Sequence, residues 1–313
     1  MKYTDHQNNE KSFRSLTGYS HEQFLALLPY FEEAHNEYFT NYDMEGKYRN
    51  GQRSFTIYKN SPLPTVADRL FFIMVYLKNN PLQEYHAACF EMDQKHCNMF
   101  IRRMYHILEQ CLRDAEAMPA QTQKEFRKLL ETQPCEEEEE EEVPILLHDG
   151  TEREIPRPVD PDEQKENYSG KKKKHTVKNA VVITACCLIL FVSASVCGKM
   201  HDKKIADTLY SFPYPCVLYQ DTGYQGYKPE GVVIFQPIKK PPGRERTLEE
   251  KEYNRQISSF RVRVEHVIGS VKRMRIVKDE CRLRADNFVG RIFGTCAAMH
   301  NFRIKINPWH YEN

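Results

Sequence analysis

At 313 residues the chain has room for a full catalytic domain and a smaller module, because domains usually run about 100 to 200 residues. The net charge of +1 hides an asymmetry: from Asp149 onward there are 29 Lys and Arg against 20 Asp and Glu, and before it 16 against 24, so charge favours a polyanionic partner for the second part. The ten cysteines form no C-x-x-C and no Cys/His spacing suited to zinc, and Met1–Glu10 lacks an apolar signal-peptide core, which argues against structural zinc, a disulfide framework and secretion; reduced, buried thiols in a cytoplasmic, nucleoid-associated protein (nuclear in a eukaryote) are expected.

Residues 1–62 are polar and aromatic. One short amphipathic helix is predicted from His21 to Ala34, with Phe24, Leu27, Leu28 and Phe31 on one side, and Arg49–Pro62 reads as loop. Residues 63–134 turn helical. Leu70, Ile73, Met74 and Leu77 recur at helical spacing until Asn79, Asn80 and Pro81 stop the run. A short helix follows from Pro81, carrying Ala87, Ala88 and Cys89. Asp93 can then cap a third helix whose apolar face is Cys97, Phe100, Ile101, Met104, Ile107, Leu108 and Leu112. This order is what a helix-turn-helix requires: Ala87 and Ala88 would let its helices cross closely, leaving Gln94, Lys95, His96, Asn98 and Arg102 on the recognition helix. A bundle that only packs fits the same spacing. Gln121–Gln133 extends the helical region.

The unbroken acidic run Glu136–Glu142 makes residues 135–142 a solvated linker; a shield over a basic groove is the sharper alternative. Residues 143–313 then read as strands and helices. Val143–His148 is a strand ending at Asp149, Thr176–Thr184 and Leu188–Val196 are two more, and their link through Ala185, Cys186 and Cys187 lacks the Gly or Asn of a tight hairpin. A helix over His201–Tyr210, strands over Cys216–Gln220 and Val232–Pro237, and a long helix over Leu248–Met274 with Ile257, Phe260, Val264, Val267 and Val271 on one face complete the series. The order matches an α/β ribonuclease H-like mixed sheet flanked by helices. Ala180–Gly198 has no charge and is about long enough to span a bilayer, but its β-branched runs and alternation read as buried strands, with no membrane partner.

Three acids stand out. Asp149 follows Ile145, Leu146 and Leu147; Asp221 follows Val217, Leu218 and Tyr219; Glu265 lies on the long helix beside core-facing Val264. Converging carboxylates repel unless cations neutralise them, so the set suits magnesium, and two metals about 4 Å apart can drive in-line attack on phosphorus. Each acid also has an ordinary reading: turns at Asp149-Gly150 and Asp221-Thr222-Gly223, and a helical pair of Glu265 with Arg261.

The segments His148-Asp149-Gly150-Thr151-Glu152-Arg153, Pro156-Arg157-Pro158 and Gln164–His175 together resemble the first-acid region of DDE-type transposases, insertion-sequence enzymes related to Harbinger-type nucleases. Gly198-Lys199-Met200-His201-Asp202 with Asp221-Thr222-Gly223-Tyr224-Gln225-Gly226 resembles the second, and Arg261-x3-Glu265-x6-Lys272 the third, although Ser258 stands where a tyrosine is usual. The resemblance spans roughly Ile145–Phe302. It implies that Asp149, Asp221 and Glu265 ligate two Mg2+ ions, with Mn2+ an admissible substitute, and that Arg261 and Lys272 touch DNA phosphate or orient the glutamate. Separations of four and seven put residues 261, 265 and 272 on one helical side. Lys171, Lys172, Lys173, Lys174 and His175 would form a phosphate-binding strip or, equally, a solvated basic loop. Asp202 rivals Asp221 as second acid, but is as well explained as a helix N-cap. The implied activity is metal-dependent cleavage and strand transfer on double-stranded DNA, at terminal repeats and target, by an enzyme that could assemble as a homo-oligomer on DNA. A cleavage-inactive DNA-binding derivative and a ribonuclease H-like nuclease without a joining step fit the same residues.

Overall fold

Local capping chemistry starts most of the helices. The computed structural model describes residues 1–43, 45–50, 55–132, 143–212, 215–283 and 288–311, and these divide into two compact units, 1–118 with 272–279, and 119–271 with 280–313. In the first unit, Asn9 caps α1 (Glu10–Thr17), which Gly18 ends in the left-handed region at φ 79°. Ser20 and Gln23 form a capping box on α2 (His21–Asn41), and Thr65 with Asp68 does the same for α3 (Val66–Asn79). Each satisfies backbone N–H groups that a helix start leaves without partners. Asp93 caps α5 (Gln94–Asp114) through His96 N, as its position predicts.

Residues 1–62 are therefore more structured than their composition implies. α1 was not expected, and α2 runs past Ala34 through to Asn41 with Pro29 inside it, because His35 and Phe39 are themselves buried. They join the helical region in one unit. α3 is its centre: Leu70 through Met74 are fully buried, and Phe13 stacks on Phe71 with ring centroids 5.8 Å apart. Fully burying one such side chain stabilises by roughly 1.5–3 kcal/mol. α4 (Gln83–Cys89) packs on α5, and α10 (Arg275–Lys278) packs on α3. Between α4 and α5 the chain turns at Glu91, with φ 53°. Ala87 is buried as the close crossing requires, whereas Ala88 is exposed. The first unit thus carries a helix-turn-helix in α4 and α5.

The second unit is a mixed sheet with helices around it. Its strands are β1 (Ile145–Glu154), β2 (Tyr168–Ser169), β3 (Lys174–Thr184), β4 (Ile189–Val192), β5 (Val196–Cys197), β6 (Cys216–Tyr219) and β7 (Val232–Phe235). The order is β2-β3-β1-β6-β7, with β4 and β5 also on β3. β1 is antiparallel to β3 and parallel to β6, and β6 is parallel to β7. α6 (Gln123–Thr132), α7 (Pro161–Asn167), α8 (Asp202–Leu209), α9 (Leu248–Val271) and α11 (Phe288–Ile306) complete the unit. This is the ribonuclease H-like arrangement.

The division falls after Met118 and not at the acidic run. Residues 119–132 go with the sheet because Phe126 is fully buried against Phe191, with ring centroids 5.1 Å apart, and Ala120 N donates to Leu190 O. Glu136–Glu142 and Cys135 lie outside the described residues. The apolar stretch from Ala180 forms the end of β3, then β4 and β5, and no helix among the described residues is long and apolar enough to cross a membrane. Cys187 takes the left-handed position of the β3–β4 turn, φ 70°, where Gly would be usual. His300 Nε2 holds the Cys187 carbonyl at 2.9 Å, and the register shifts at Val182/Ile183. Among the described cysteines all are free thiols, six of them buried, while Cys186 is exposed.

Candidate active site

Two parallel strands part from each other, and each carries a carboxylate just beyond their pairing. β1 pairs with β6 only over Ile145–Leu147 and Val217–Tyr219. β1 itself continues through Asp149 to Glu154 because β3 keeps pairing with it, Val181 opposite Asp149, so Asp149 lies within a strand and not at its end. It lies just beyond the β6 pairing, where the sheet opens. Asp221 follows β6 and caps the turn Thr222–Tyr224, accepting from Thr222 N at 2.7 Å. Crevices at the carboxyl ends of parallel strands are where such sheets bind ligands.

Buried His148 ties the two positions together. It is fully enclosed, stacks on Tyr224 with centroids 4.0 Å apart, and sits 2.7 Å from Tyr210 Oη and 3.2 Å from Gln220 Oε1. Burial pushes its pKa down to about 3, so the ring is neutral. Gln220 Oε1 can only accept, which makes Nε2 the donor and leaves Nδ1 to accept from the tyrosine hydroxyl. The residue before Asp149 is thereby fastened to the residue before Asp221.

Arg261 reaches both acids from α9. It shares the buried stripe of Ile257, Val264, Val267 and Val271, and its side chain is 8% exposed. Nη1 is 3.6 Å from Asp221 Oδ1 and Nη2 is 4.0 Å from Asp149 Oδ2. Its Nε is buried and has no acceptor. Burial raises the Asp149 pKa to about 6; the Gly150 N–H and Arg261 pull it down, while Asp221 and Asp202 push it up. Desolvation and neighbouring acids are the two means by which clefts raise a carboxyl pKa.

Asp202 adds a third carboxylate. The N-cap of α8 is His201, and Asp202 is the first helical residue, so it is not the N-cap its position predicts. Lys178 turns it toward the sheet instead: Nζ is 3.4 Å from Asp202 Oδ1 and donates to Met200 O at 2.9 Å. A Cβ on Gly150 would lie 2.8 Å from Asp202 Oδ1, and one on Gly223 3.4 Å from Oδ2. The two glycines after the acids thus leave space that Asp202 uses. Sequence reasoning passed over Lys178 entirely; only its alternation along β3 could have signalled it.

Glu265 is one turn beyond Arg261 and exposed, so α9 presents Arg261 and not Glu265 to the two aspartates. Lys272 follows the end of α9 at Val271 and lies in a turn, which removes it from the helical side proposed for residues 261 and 265. Lys171, Lys172 and Lys173 project from the exposed β2–β3 turn, Lys174 pairs with Glu154 at 2.7 Å, and His175 is half-buried against Tyr168. In the first unit, Gln94, Lys95, His96 and Arg102 are exposed on α5. His96 pairs with Asp93. Asn98 Nδ2 donates to Gln83 Oε1 at 2.9 Å, which makes it a tie between α4 and α5.

The donor chemistry of Asp149, Asp202 and Asp221 fits a hard divalent cation, which takes oxygen ligands. Among the described residues, however, no three His, Cys, Asp or Glu side chains stand in metal-holding geometry, and a guanidinium fills the gap between two of the donors.

Residues 148–301 match the family described as DDE superfamily endonuclease, and residues 61–114 match the helix-turn-helix of DDE superfamily endonuclease. A probable transposase for insertion sequence element IS702 from Microchaete diplosiphon is 31% identical over 163 residues, 52% of this chain. The chain spans 58% of that relative's length. No solved structure matches.

Proposed function

Since this chain belongs to the DDE-type transposases, we propose that it cuts double-stranded DNA at the ends of a mobile element and joins those ends to target DNA. The observation that carries this reading is the pair Asp149 and Asp221 just beyond the parallel pairing of β1 with β6, fastened through His148 and Gln220. Divalent-metal dependence comes with the family in general. Mg2+ would be held by Asp149 and Asp221, with Glu265 the donor expected from α9 and Asp202 lining the same cleft. A magnesium ion held there would supply activation of the attacking water or 3′-hydroxyl and stabilisation of the leaving oxygen.

The chain's own residues supply the remainder. His148 keeps the two carboxylates at a fixed separation without carrying charge. Arg261 offsets part of their repulsion, and Lys178 holds Asp202 against β1. Exposed Lys171, Lys172 and Lys173 suit a phosphate backbone, with His175 beside them. On α5, Gln94, Lys95, His96 and Arg102 suit the base edges and phosphates of a terminal repeat. Both DNA partners and assembly as a homo-oligomer on them belong to this proposal.

A second reading, a DNA-binding derivative that no longer cleaves, is favoured by one observation: Arg261 and not Glu265 meets the aspartates. Purified protein with Mg2+ and labelled terminal-repeat DNA separates the two, comparing wild type with Asp149→Asn, Asp221→Asn and Glu265→Gln. Cleavage and joining that fail in all three variants support the transposase. Binding without any cutting by wild type transfers the conclusion to the derivative, and cutting without joining to a ribonuclease H-like nuclease.

A further inference from the structure

Arg261 is a buried arginine that its neighbouring acids hold only loosely. Its Nη1 and Nη2 stand 3.6 Å and 4.0 Å from the two aspartates, beyond the roughly 2.7–2.9 Å of a charge-assisted hydrogen bond. Nε is buried and donates to nothing. A guanidinium carries five donors, and leaving the buried Nε–H among them without an acceptor is costly. The cation is therefore placed for its charge, between two carboxylates whose repulsion it offsets. Lys178 is the contrast nearby: its ammonium has the Met200 carbonyl at 2.9 Å as well as Asp202.

A divalent cation on Asp149 and Asp221 would repel a guanidinium between them, so the two cannot share the gap. Departure of Arg261 needs another anion. DNA phosphate is the best match, because a planar fork binds phosphate oxygens in pairs. We propose that Arg261 is a positioning residue that couples metal to DNA: it occupies the carboxylate gap in the free protein and exchanges to a DNA phosphate as a divalent cation takes Asp149 and Asp221. The inference rests on the reading that those aspartates hold a cation. Coupling of this kind is reciprocal, so the metal tightens DNA binding by the same factor as DNA tightens metal binding.

The test uses the full chain and two equilibrium measurements, neither of which depends on catalysis. Calcium, which takes the same oxygen donors, is titrated by calorimetry without DNA, and the anisotropy of a short fluorescent duplex is followed with and without calcium. In wild type, calcium tightens duplex binding at least about fivefold, the lower end of ordinary couplings. Arg261→Gln binds calcium at least about fivefold tighter without DNA, and its duplex affinity no longer responds to calcium. Arg261→Met serves by the same criterion should the glutamine variant not fold. Arg261→Lys, keeping the charge, restores the weaker calcium binding of wild type; a lysine variant that behaves like the glutamine one assigns the effect to packing and overturns the proposal. Unchanged calcium affinity with coupling intact in Arg261→Gln overturns it as well. If wild type and Asp149→Asn alike bind no calcium, the cation reading itself fails and takes the proposal with it, a pattern distinct from the other two.

Discussion

Both units bury arginines, and Arg69 of the first and Arg261 of the second are treated in opposite ways. Arg69 in the first unit is 3% exposed. It bonds His35 at 2.7 Å and lies over the rings of Phe39, Phe55 and Phe100 at 5.4, 5.4 and 5.7 Å. No carboxylate is needed because three π faces and a neutral imidazole share the charge, and burial keeps His35 neutral by lowering its pKa to about 4. Arg261 in the second unit is nearly as buried, yet meets two acids loosely and leaves Nε without an acceptor. A buried charge that is fully coordinated holds a core together. One that is under-coordinated beside a cleft is available for exchange.

The sharpest break between the units is expected from the acids. Asp149→Asn or Asp221→Asn reduces DNA cleavage by about a hundred- to a thousandfold, the usual scale for losing one electrostatic contact to a transition state, while duplex binding through α5 persists. A cleavage assay beside a mobility-shift assay reads both, and equal loss of binding and cutting would erase the distinction. Next in size, Arg69→Ala should cost the first unit roughly 3 kcal/mol, through lost packing and cation–π contact. Urea unfolding measures this, and a cost below about 1 kcal/mol would mean that Arg69 resembles a surface residue.

A pH effect of intermediate size belongs to the first unit. His86 is packed among Phe72, Tyr76 and Phe90, and burial lowers its pKa from 6.5 to about 3. The unfolded chain takes up a proton near pH 6.5 that the folded one refuses. The stabilisation is therefore complete above that pH and is lost as pH falls toward 3, by roughly 2 kcal/mol at pH 5. Thermal melts at pH 7 and pH 5 should differ less for His86→Phe than for wild type. The smallest expected effect is on the tie between α4 and α5: Asn98→Ala removes the bond to Gln83 and lowers stability by about 1 kcal/mol. Lys95→Ala leaves stability unchanged and weakens duplex binding in a salt-dependent way, so chemical denaturation separates a tie from a reader.

Much of the first unit is legible because its signals are local. Ser20, Thr65 and Asp93 announce helix starts within three residues of the groups they cap. α1 and the extension of α2 were missed because Pro29 and scattered polar residues mask a burial pattern that depends on α3. In the second unit, the strands before Asp149 and Asp221 are legible as apolar runs, but β1 was cut short because its continuation is supplied by β3, not by its own polar residues Thr151 to Glu154. Cys187 in a left-handed turn has no local signature at all; the His300 contact comes from α11.

The sequence by itself determined most of the helices and β-forming runs, the fold class they add up to and the two aspartates that follow apolar runs, since these are written in neighbouring residues and their order along the chain. Which charges meet was decided only by the tertiary structure. The parallel register of β1 and β6 sets Asp149 beside Asp221, and the rotation of α9 against the sheet turns Arg261 inward while Glu265 stays exposed. Helical spacing alone leaves both residues on one side of α9. Packing of Ile257, Val264, Val267 and Val271 selects between them, because a helix can bury only one narrow stripe and that stripe runs through Arg261.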